Sequence, residues 1–131
     1  MKIKEVLLEM YTAYVLDEQS RWYLTQVFPP KYSNVIGHHV TVNFGVPATT
    51  EAPSPAVIQV VGYADSGDGI EALVVSVNGR TERPDGSTYH ITWSIDPVSG
   101  YKPKDSNALV RQNWKPRAIP IPIETTPAVL K

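Results

Sequence analysis

The sequence predicts an α+β fold that is built mainly from antiparallel strands and contains two principal helices. Twelve prolines limit the amount of continuous helix. Several runs rich in β-branched and aromatic residues are typical of strands, and two segments begin with residues that cap helices. With 131 residues, 42% of them apolar, the chain has the size and composition of one domain around one core. We therefore expect a single domain over residues 1–131.

The first strand and helix follow one another near the N-terminus. Residues 9–16 (EMYTAYVL) have the composition of a strand. Asp17 then provides an N-cap for a helix with the sequence DEQSRWYLTQVF, which Pro29-Pro30 ends. We expect this helix to pack on a sheet through an apolar stripe, which consists of Trp22, Leu24, Val27 and Phe28.

The remaining elements are mostly strands, which are predicted over residues 38–45, 56–63, 70–77 and 89–95. The second and third of these flank ADSGDG and should form a hairpin. Asp105 or Ser106 can begin a short helix that ends at about Asn113. The segment RAIPIPIETTP alternates Ile with Pro, so it can only be an edge strand or an extended strap, because proline cannot donate to a central ladder.

Composition also excludes several classes of function. A formal net charge of −1 argues against a protein that coats long nucleic acid through a basic surface. The chain has no cysteine, and its three histidines lack HExxH spacing, so we expect no metal and no cofactor. The N-terminal apolar run is too short for a signal peptide or a membrane span, and we expect a soluble, cytoplasmic protein without membrane contact.

A repeated pattern is the most informative feature of the chain. GHHVTVNFGVP contains His39-Val40-Thr41, and STYHITWSIDP contains His90-Ile91-Thr92. Both lie in strand-like alternation, and both are followed by a proline seven or eight residues after the histidine. Two such patterns among three histidines exceed what the ten threonines of the chain would give by chance. The repeat therefore favours a shared functional role.

Strand alternation divides the side chains around each pattern into two faces, because residues two apart point the same way. One set of faces should carry His39, Thr41 and Asn43, and likewise His90, Thr92 and Ser94. The opposite faces should carry His38, Val40, Val42 and Phe44, and likewise Tyr89, Ile91, Trp93 and Ile95. His38 is thus expected to be a structural residue that faces the core, as is Trp93. A bulge would reverse the assignment of His38.

Two imidazoles and two hydroxyls on facing strands suit acid-base chemistry. An unperturbed histidine has a pKa of about 6.5, so near neutral pH one imidazole can accept a proton while the other donates one. Threonine hydroxyls can donate hydrogen bonds to the non-bridging oxygens of a phosphate. The arrangement is suited to phosphodiester cleavage without a metal ion.

These residues resemble the 2H phosphoesterase superfamily, in which two His-x-[ST] strands face a central cleft. The resemblance extends over YTAYVLDEQSR, HHVTVNFG, YHITWSID and KPKDSNAL. The last segment is similar to the KPxxSN segment in the cyclic phosphodiesterase domains of fungal-type tRNA ligases. Related small enzymes occur in phages, and some degrade cyclic nucleotide signals of bacterial defence. The resemblance implies a bilobal, pseudo-symmetric fold with mainly antiparallel sheets.

The resemblance also implies metal-independent phosphodiester chemistry on a ribonucleotide. His39 and His90 would be the catalytic acid-base pair, and Thr41 and Thr92 the phosphate ligands. In the RNA-repair members a water molecule opens a 2′,3′-cyclic phosphate. One alternative is a phage-type phosphodiesterase that degrades cyclic nucleotide or oligonucleotide defence signals, and another is a non-catalytic module that binds nucleotides or RNA. The expected partner is a small cyclic nucleotide or an RNA end.

Four further residues are candidates for substrate binding, each with a structural alternative. Tyr11 could stack on a nucleobase or belong to the core. Ser106 and Asn107 could face a phosphate or base, or simply cap a helix. Lys102, with Lys104 nearby, could supply local positive charge or be solvated. Sequence alone does not decide which histidine is the acid and which the base.

Overall fold

The computed structural model describes residues 10–131, so Glu9 of the predicted first strand lies outside the described residues. The described chain forms two antiparallel sheets and two helices, which confirms the α+β class and the predominance of antiparallel strands. Within these residues no helix combines the length and the apolar character that crossing a membrane requires.

The smaller sheet has three strands in the order β3-β1-β8. These strands are β1 (Met10–Leu16), β3 (His39–Val46) and β8 (Thr125–Leu130). After β1 the chain enters helix α1 (Glu18–Val27), where the Asp17 side chain accepts a hydrogen bond of 3.0 Å from the backbone N–H of Gln19. The predicted N-cap is therefore confirmed.

The larger sheet has five strands in the order β2-β6-β5-β4-β7. Its strands are β2 (Asn34–Val35), β4 (Ile58–Asp65), β5 (Ile70–Val77), β6 (His90–Ile95) and β7 (Lys115–Ile123). The β4–β5 hairpin is confirmed. The proline-rich β7 and β8 each lie at the edge of a sheet, as the absence of a proline N–H requires.

The main core lies between the sheets and α1. Leu24 of α1 is fully buried, and Trp93 is fully buried as predicted, its indole N–H donating to the Phe28 carbonyl at 2.9 Å. The prediction for Trp22 is wrong: its side chain is 66% exposed, because the buried stripe of α1 runs through Leu24, with Val27 and Phe28 only partly covered.

The second helix covers the other face of the larger sheet. A single 3₁₀ turn (Pro103–Asp105) leads into α2 (Ser106–Gln112), which agrees with the helix start predicted from the sequence. Val110 of α2 packs against Ala72 and Val74 of β5 in a small second cluster. Because His90 and Thr92 pair with Val74 and Ala72, α2 begins beside the second His-x-Thr pattern.

A short bridge of three residues joins the two sheets. The N–H groups of Ile36 and Gly37 donate to the carbonyls of Trp93 and Thr92 at 2.9 and 3.0 Å, and the His38 carbonyl accepts from Leu16 at 2.9 Å. Gly37 has a φ of +48°, and a Cβ there would lie 2.8 Å from the Trp93 ring. Only glycine fits this position without strain. The bridge fixes the start of β3 against β6.

Candidate active site

A cleft of about 250 Å³ lies between β3 and β6. His39 and Thr41 line it from the smaller sheet, and His90 and Thr92 line it from the larger one. The four residues predicted from the repeated pattern therefore lie together. They come from strands about fifty residues apart in sequence, which the bridge at Gly37 holds side by side.

Each of the two strands carries a β-bulge directly after its threonine. Along β3, Thr41 pairs with Ala13 and Asn43 with Thr12, which leaves Val42 without a partner. Along β6, Thr92 pairs with Ala72 and Ser94 with Glu71, which leaves Trp93 without one. In both strands the extra residue is the third after the histidine. A bulge bends its strand and re-aims the side chains that follow.

The bulges correct the face assignments beyond the threonines. Neither Asn43 nor Ser94 lines the cleft, although simple alternation predicted that both would. The Ser94 hydroxyl instead donates to the buried Glu71 carboxylate and accepts from the backbone N–H of Tyr32. Phe44, predicted to face away from the cleft, lines it. The strict period of two holds only as far as each bulge.

His38 is exposed and lines the cleft, so the prediction that it faces the core is wrong. The reason is that β3 begins at His39, and His38 belongs to the bridge, where strand alternation does not apply. Its Nδ1 lies 3.0 Å from Nδ1 of His39, with the two rings nearly perpendicular. A hydrogen bond between two Nδ1 atoms needs a proton on one of them, so the tautomers of the two imidazoles are linked.

His90 is more deeply buried than His39, with only 7% of its surface exposed. Its Nδ1 lies 2.8 Å from the carbonyl oxygen of Thr88. Because a carbonyl can only accept, Nδ1 carries the proton, and Nε2 of the neutral ring is an acceptor. Nε2 lies 2.8 Å from the hydroxyl oxygen of Ser106, which is fully buried.

Ser106 connects His90 to Thr92. Its hydroxyl oxygen lies 2.7 Å from the Thr92 hydroxyl and 2.6 Å from the Pro103 carbonyl. The serine has one proton to donate, and neutral His90 and the carbonyl of Pro103 compete for it. When His90 is protonated its Nε2–H donates instead, and the serine proton is free for Pro103. The direction of this hydroxyl therefore follows the charge on His90.

The cleft makes both histidines weak bases. Burial, and then the charges of His38 and His90, lower the pKa of His39 to about 4. Burial chiefly lowers the pKa of His90 to about 4 as well, with a further contribution from the Arg83 charge. Both imidazoles are then neutral near pH 7 in the free protein. The expectation of one neutral and one charged histidine near neutral pH does not hold for this state.

An aromatic wall continues the cleft on the side of the smaller sheet. The Tyr11 ring centroid lies 5.2 Å from that of His39 and 5.3 Å from that of Phe44. Tyr11 therefore lies on the lining of the cleft, whereas Phe44 is 58% exposed at its rim. Rings spaced in this way offer flat apolar surface at the edge of a polar site.

The wall opposite Tyr11 and Phe44 carries the positive charge of Lys104 rather than that of Lys102, which was predicted to supply it. Lys102 does not line the cleft; its side chain is exposed, and its backbone N–H donates to Asp105 at 2.8 Å. Because that bond anchors Lys102 at the start of the 3₁₀ turn, Lys104 lines the cleft instead. Asn107 also lines it, and its side-chain oxygen accepts from Arg83 at 3.1 Å.

Arg83 is a cleft residue that the sequence analysis missed. It is 5% exposed, and its Nε donates to the Ser87 hydroxyl at 2.6 Å. A usable signal was present: residues 83–87 read RPDGS, and Pro-Asp-Gly is a strong turn sequence. A turn immediately before the second His-x-Thr strand returns Arg83 to the neighbourhood of His90.

Among residues 10–131 no group of three or more histidine, aspartate or glutamate side chains is arranged to hold a metal ion. The chain matches no protein-family model, no curated protein and no solved structure. Inference about its function therefore depends on the side chains of the cleft and on their chemistry.

Proposed function

We propose that the protein is a 2H-type phosphodiesterase that hydrolyses a 2′,3′-cyclic phosphate on an RNA end or a nucleotide. The observation that carries the proposal is the convergence of two His-x-Thr strands on one cleft, each with a bulge at the same position after its histidine. Two independently placed strands with this local geometry provide two imidazoles and two hydroxyls at a single site. A binding module has no need of a matched pair of proton carriers.

The walls of the cleft suit the two parts of such a substrate. Tyr11 and Phe44 can stack on a nucleobase, which every nucleotide offers as a flat face. The hydroxyls of Thr41 and Thr92 can donate to the non-bridging oxygens of the phosphate. Lys104 adds positive charge on the side opposite the aromatic wall.

The reaction needs one proton taken and one proton given. Water oxygen attacks phosphorus while one neutral imidazole removes its proton, and a new P–O bond forms. The bond from phosphorus to one ribose oxygen breaks, and the other imidazole, in its protonated form, donates a proton to that oxygen. The products are a phosphomonoester and a free ribose hydroxyl. The two imidazoles have then exchanged protonation states, which proton exchange with solvent resets.

The low pKa values of both histidines couple substrate binding to proton uptake. In the free protein both rings are neutral near pH 7, so the acid must gain a proton before or during binding. A bound phosphodiester carries a negative charge, and a nearby negative charge raises the pKa of an imidazole. Binding of the anion therefore brings one proton into the cleft.

The exposed position of Phe44 favours a second candidate of the same reaction class. Phe44 lies beyond Tyr11 at the rim, where a second base could stack outside the first. A cyclic dinucleotide or oligonucleotide, as in phage enzymes that remove defence signals, would use both rings. In that reaction a ribose 2′-OH could replace water as the nucleophile.

One panel of substrates tests these proposals together. Purified protein with EDTA would be incubated with the four 2′,3′-cyclic nucleoside monophosphates, an RNA with a 2′,3′-cyclic phosphate end, and cyclic di- and trinucleotides. Mass spectrometry would identify the products, and ³¹P NMR would distinguish 2′- from 3′-phosphates. The double variant His39→Ala/His90→Ala is the control for contaminating activity. If no substrate is cleaved but one of them binds, the protein is a non-catalytic nucleotide-binding module.

A further inference from the structure

Arg83 is an unusual residue for the interior of a small domain. Its side chain is 4% exposed, whereas arginine is almost never fully buried unless its charge is paired. Moving a guanidinium out of water is strongly unfavourable unless good partners compensate. The partners of Arg83 therefore decide whether its charge is neutralised within the protein.

The partners of Arg83 orient its charge without neutralising it. Ser87 and Asn107 are neutral acceptors at 2.6 and 3.1 Å. The carboxylate partner is Asp85, at 3.4 Å, and its side chain is 55% exposed. Asp85 also accepts hydrogen bonds from the hydroxyl and the backbone N–H of Ser87. These bonds lower the pKa of Asp85 more than the charge of Arg83 does. Because Asp85 lies at the surface, water screens much of the attraction between the two charges.

One edge of the guanidinium remains available. The hydrogen bonds of Arg83 to described residues use Nε and Nη2, and none of them uses Nη1. No buried side-chain nitrogen or oxygen among the described residues lacks a partner, so Nη1 reaches solvent. Since Arg83 lines the cleft, the cleft is where an external acceptor can meet this edge.

We propose that Arg83 is a phosphate ligand of the cleft, which binds a non-bridging oxygen of the substrate alongside Thr41 and Thr92. This inference rests on the proposed phosphodiesterase function and names a residue that the His-x-Thr pattern does not contain. Two consecutive residues of α2 hold the arrangement together, because Ser106 contacts His90 and Asn107 contacts Arg83. The acid-base residue and the cation are therefore fixed by one short segment.

The chemistry explains why a fixed cation is useful here. A phosphodiester carries one negative charge, and further charge develops on the non-bridging oxygens as the nucleophile adds. Threonine hydroxyls meet that charge with neutral dipoles, whereas a guanidinium meets it with a full charge and directed N–H groups. Because Ser87 and Asn107 already orient the group, little reorganisation is needed when the reaction occurs.

The test uses Arg83→Gln, Arg83→Lys and the exposed Arg80→Gln as a matched control that removes an equal charge outside the cleft. Inorganic phosphate is the probe for binding, measured by ³¹P NMR titration and as a competitive inhibitor. For any cyclic phosphate that the wild-type protein cleaves, Arg83→Gln should lower kcat/KM by about 10²-fold, mostly through kcat, with a smaller loss in Arg83→Lys. Phosphate binding should weaken in both variants and stay unchanged in Arg80→Gln.

The outcomes separate this inference from the proposed function. If the wild-type protein cleaves a cyclic phosphate and Arg83→Gln is as active as Arg80→Gln, the role of Arg83 is overturned and the phosphodiesterase stands. If the wild-type protein cleaves nothing but binds phosphate only with Arg83 present, the anion site stands and the phosphodiesterase is overturned. Should Arg83→Gln fail to fold, Arg83→Lys and Asn107→Ala carry the test, and unchanged phosphate binding in both refutes the proposal.

Discussion

The two His-x-Thr strands share one local geometry and differ in what surrounds it. In β3 and in β6 the threonine lies two residues after the histidine, and a bulge follows at the next residue. His39 is half-buried, and its Nδ1 contacts Nδ1 of the exposed His38, an atom that can donate or accept depending on the tautomer. His90 is 7% exposed, and its Nδ1 contacts the backbone carbonyl of Thr88, which can only accept a hydrogen bond.

The short motif thus determines where the two imidazoles lie, whereas the surrounding fold determines the tautomer of each one. The carbonyl of Thr88 fixes the tautomer of His90, and the buried Ser106 holds its other nitrogen. The tautomer of His39 depends on the state of His38. Two strands that look equivalent in sequence therefore supply one imidazole with a fixed tautomer and one whose tautomer is adjustable.

Loss of either cleft histidine should lower the activity more than any other single change. We expect His39→Ala and His90→Ala each to lower kcat/KM by roughly 10²- to 10⁴-fold, because each removes one of two proton transfers. The free energy of unfolding should differ between the two variants. His90→Ala leaves the buried hydroxyl of Ser106 and the Thr88 carbonyl without this partner, which should cost about 1–3 kcal/mol of unfolding free energy. Urea unfolding measures this cost, which should be smaller for His39→Ala.

Full activity in either alanine variant would contradict the pairing across the cleft. Equal loss of stability in both variants would contradict the distinction between a fixed and an adjustable histidine. Activity should be measured at a temperature where both variants are folded, so that a loss of kcat/KM reports on chemistry rather than on unfolding.

The next effect concerns pH and tests a property that the two histidines share. Both have a pKa of about 4 in the free protein, and the proposed reaction needs one protonated and one neutral ring. Above pH 5 the singly protonated fraction falls tenfold per unit, so kcat/KM should drop by about 10²-fold between pH 5 and pH 7. The profile of kcat should extend to higher pH, because bound phosphate raises the pKa of a nearby imidazole. A kcat/KM that is flat from pH 5 to pH 8 would contradict this account.

Ser106→Ala tests whether the hydroxyl that contacts His90 contributes to activity. The variant removes the hydroxyl that contacts Nε2 of His90 and the hydroxyl of Thr92. We expect kcat/KM to fall about tenfold, which corresponds to about 1.4 kcal/mol, the value of one good hydrogen bond. Ser106→Cys should not restore the activity, because a thiol is a weak donor. An unchanged kcat/KM in Ser106→Ala would mean that the hydroxyl only fills space.

Local signals in the sequence predicted much of the fold. Asp17 begins a helix, a proline-rich segment forms edge strands, and the His-x-Thr pattern marks two strands of one cleft. Each signal acts within a few residues: a side chain caps its own helix, a missing N–H excludes a central strand, and a period of two selects a face. These effects do not depend on what lies across the molecule.

The errors arise where tertiary structure overrides a local pattern. Bulges at Val42 and Trp93 end the alternation, since partner strands impose the register. His38 lies outside the strand that was predicted to contain it, because it is the last residue of the bridge between the sheets, and β3 begins only at His39. Arg83 lies outside both His-x-Thr patterns, and it reaches the cleft because a turn returns the chain to β6. No single window of the sequence contains these relations.

The smallest expected effect is the most direct test of the adjustable histidine. His38→Ala removes the Nδ1 partner of His39 and also a charge that lowers its pKa. The lost hydrogen bond should lower kcat by about twofold to threefold, because the pair lies in an exposed position. Removal of the charge should raise the pKa of His39, so the alkaline fall of kcat/KM should move to higher pH.

His38→Asn separates the two effects, since its amide can form a hydrogen bond to Nδ1 of His39 but carries no charge at any pH. It should keep kcat and still show the shifted fall, whereas a profile identical to that of the wild-type protein in both variants would mean that His39 is as independent of its neighbour as His90 is.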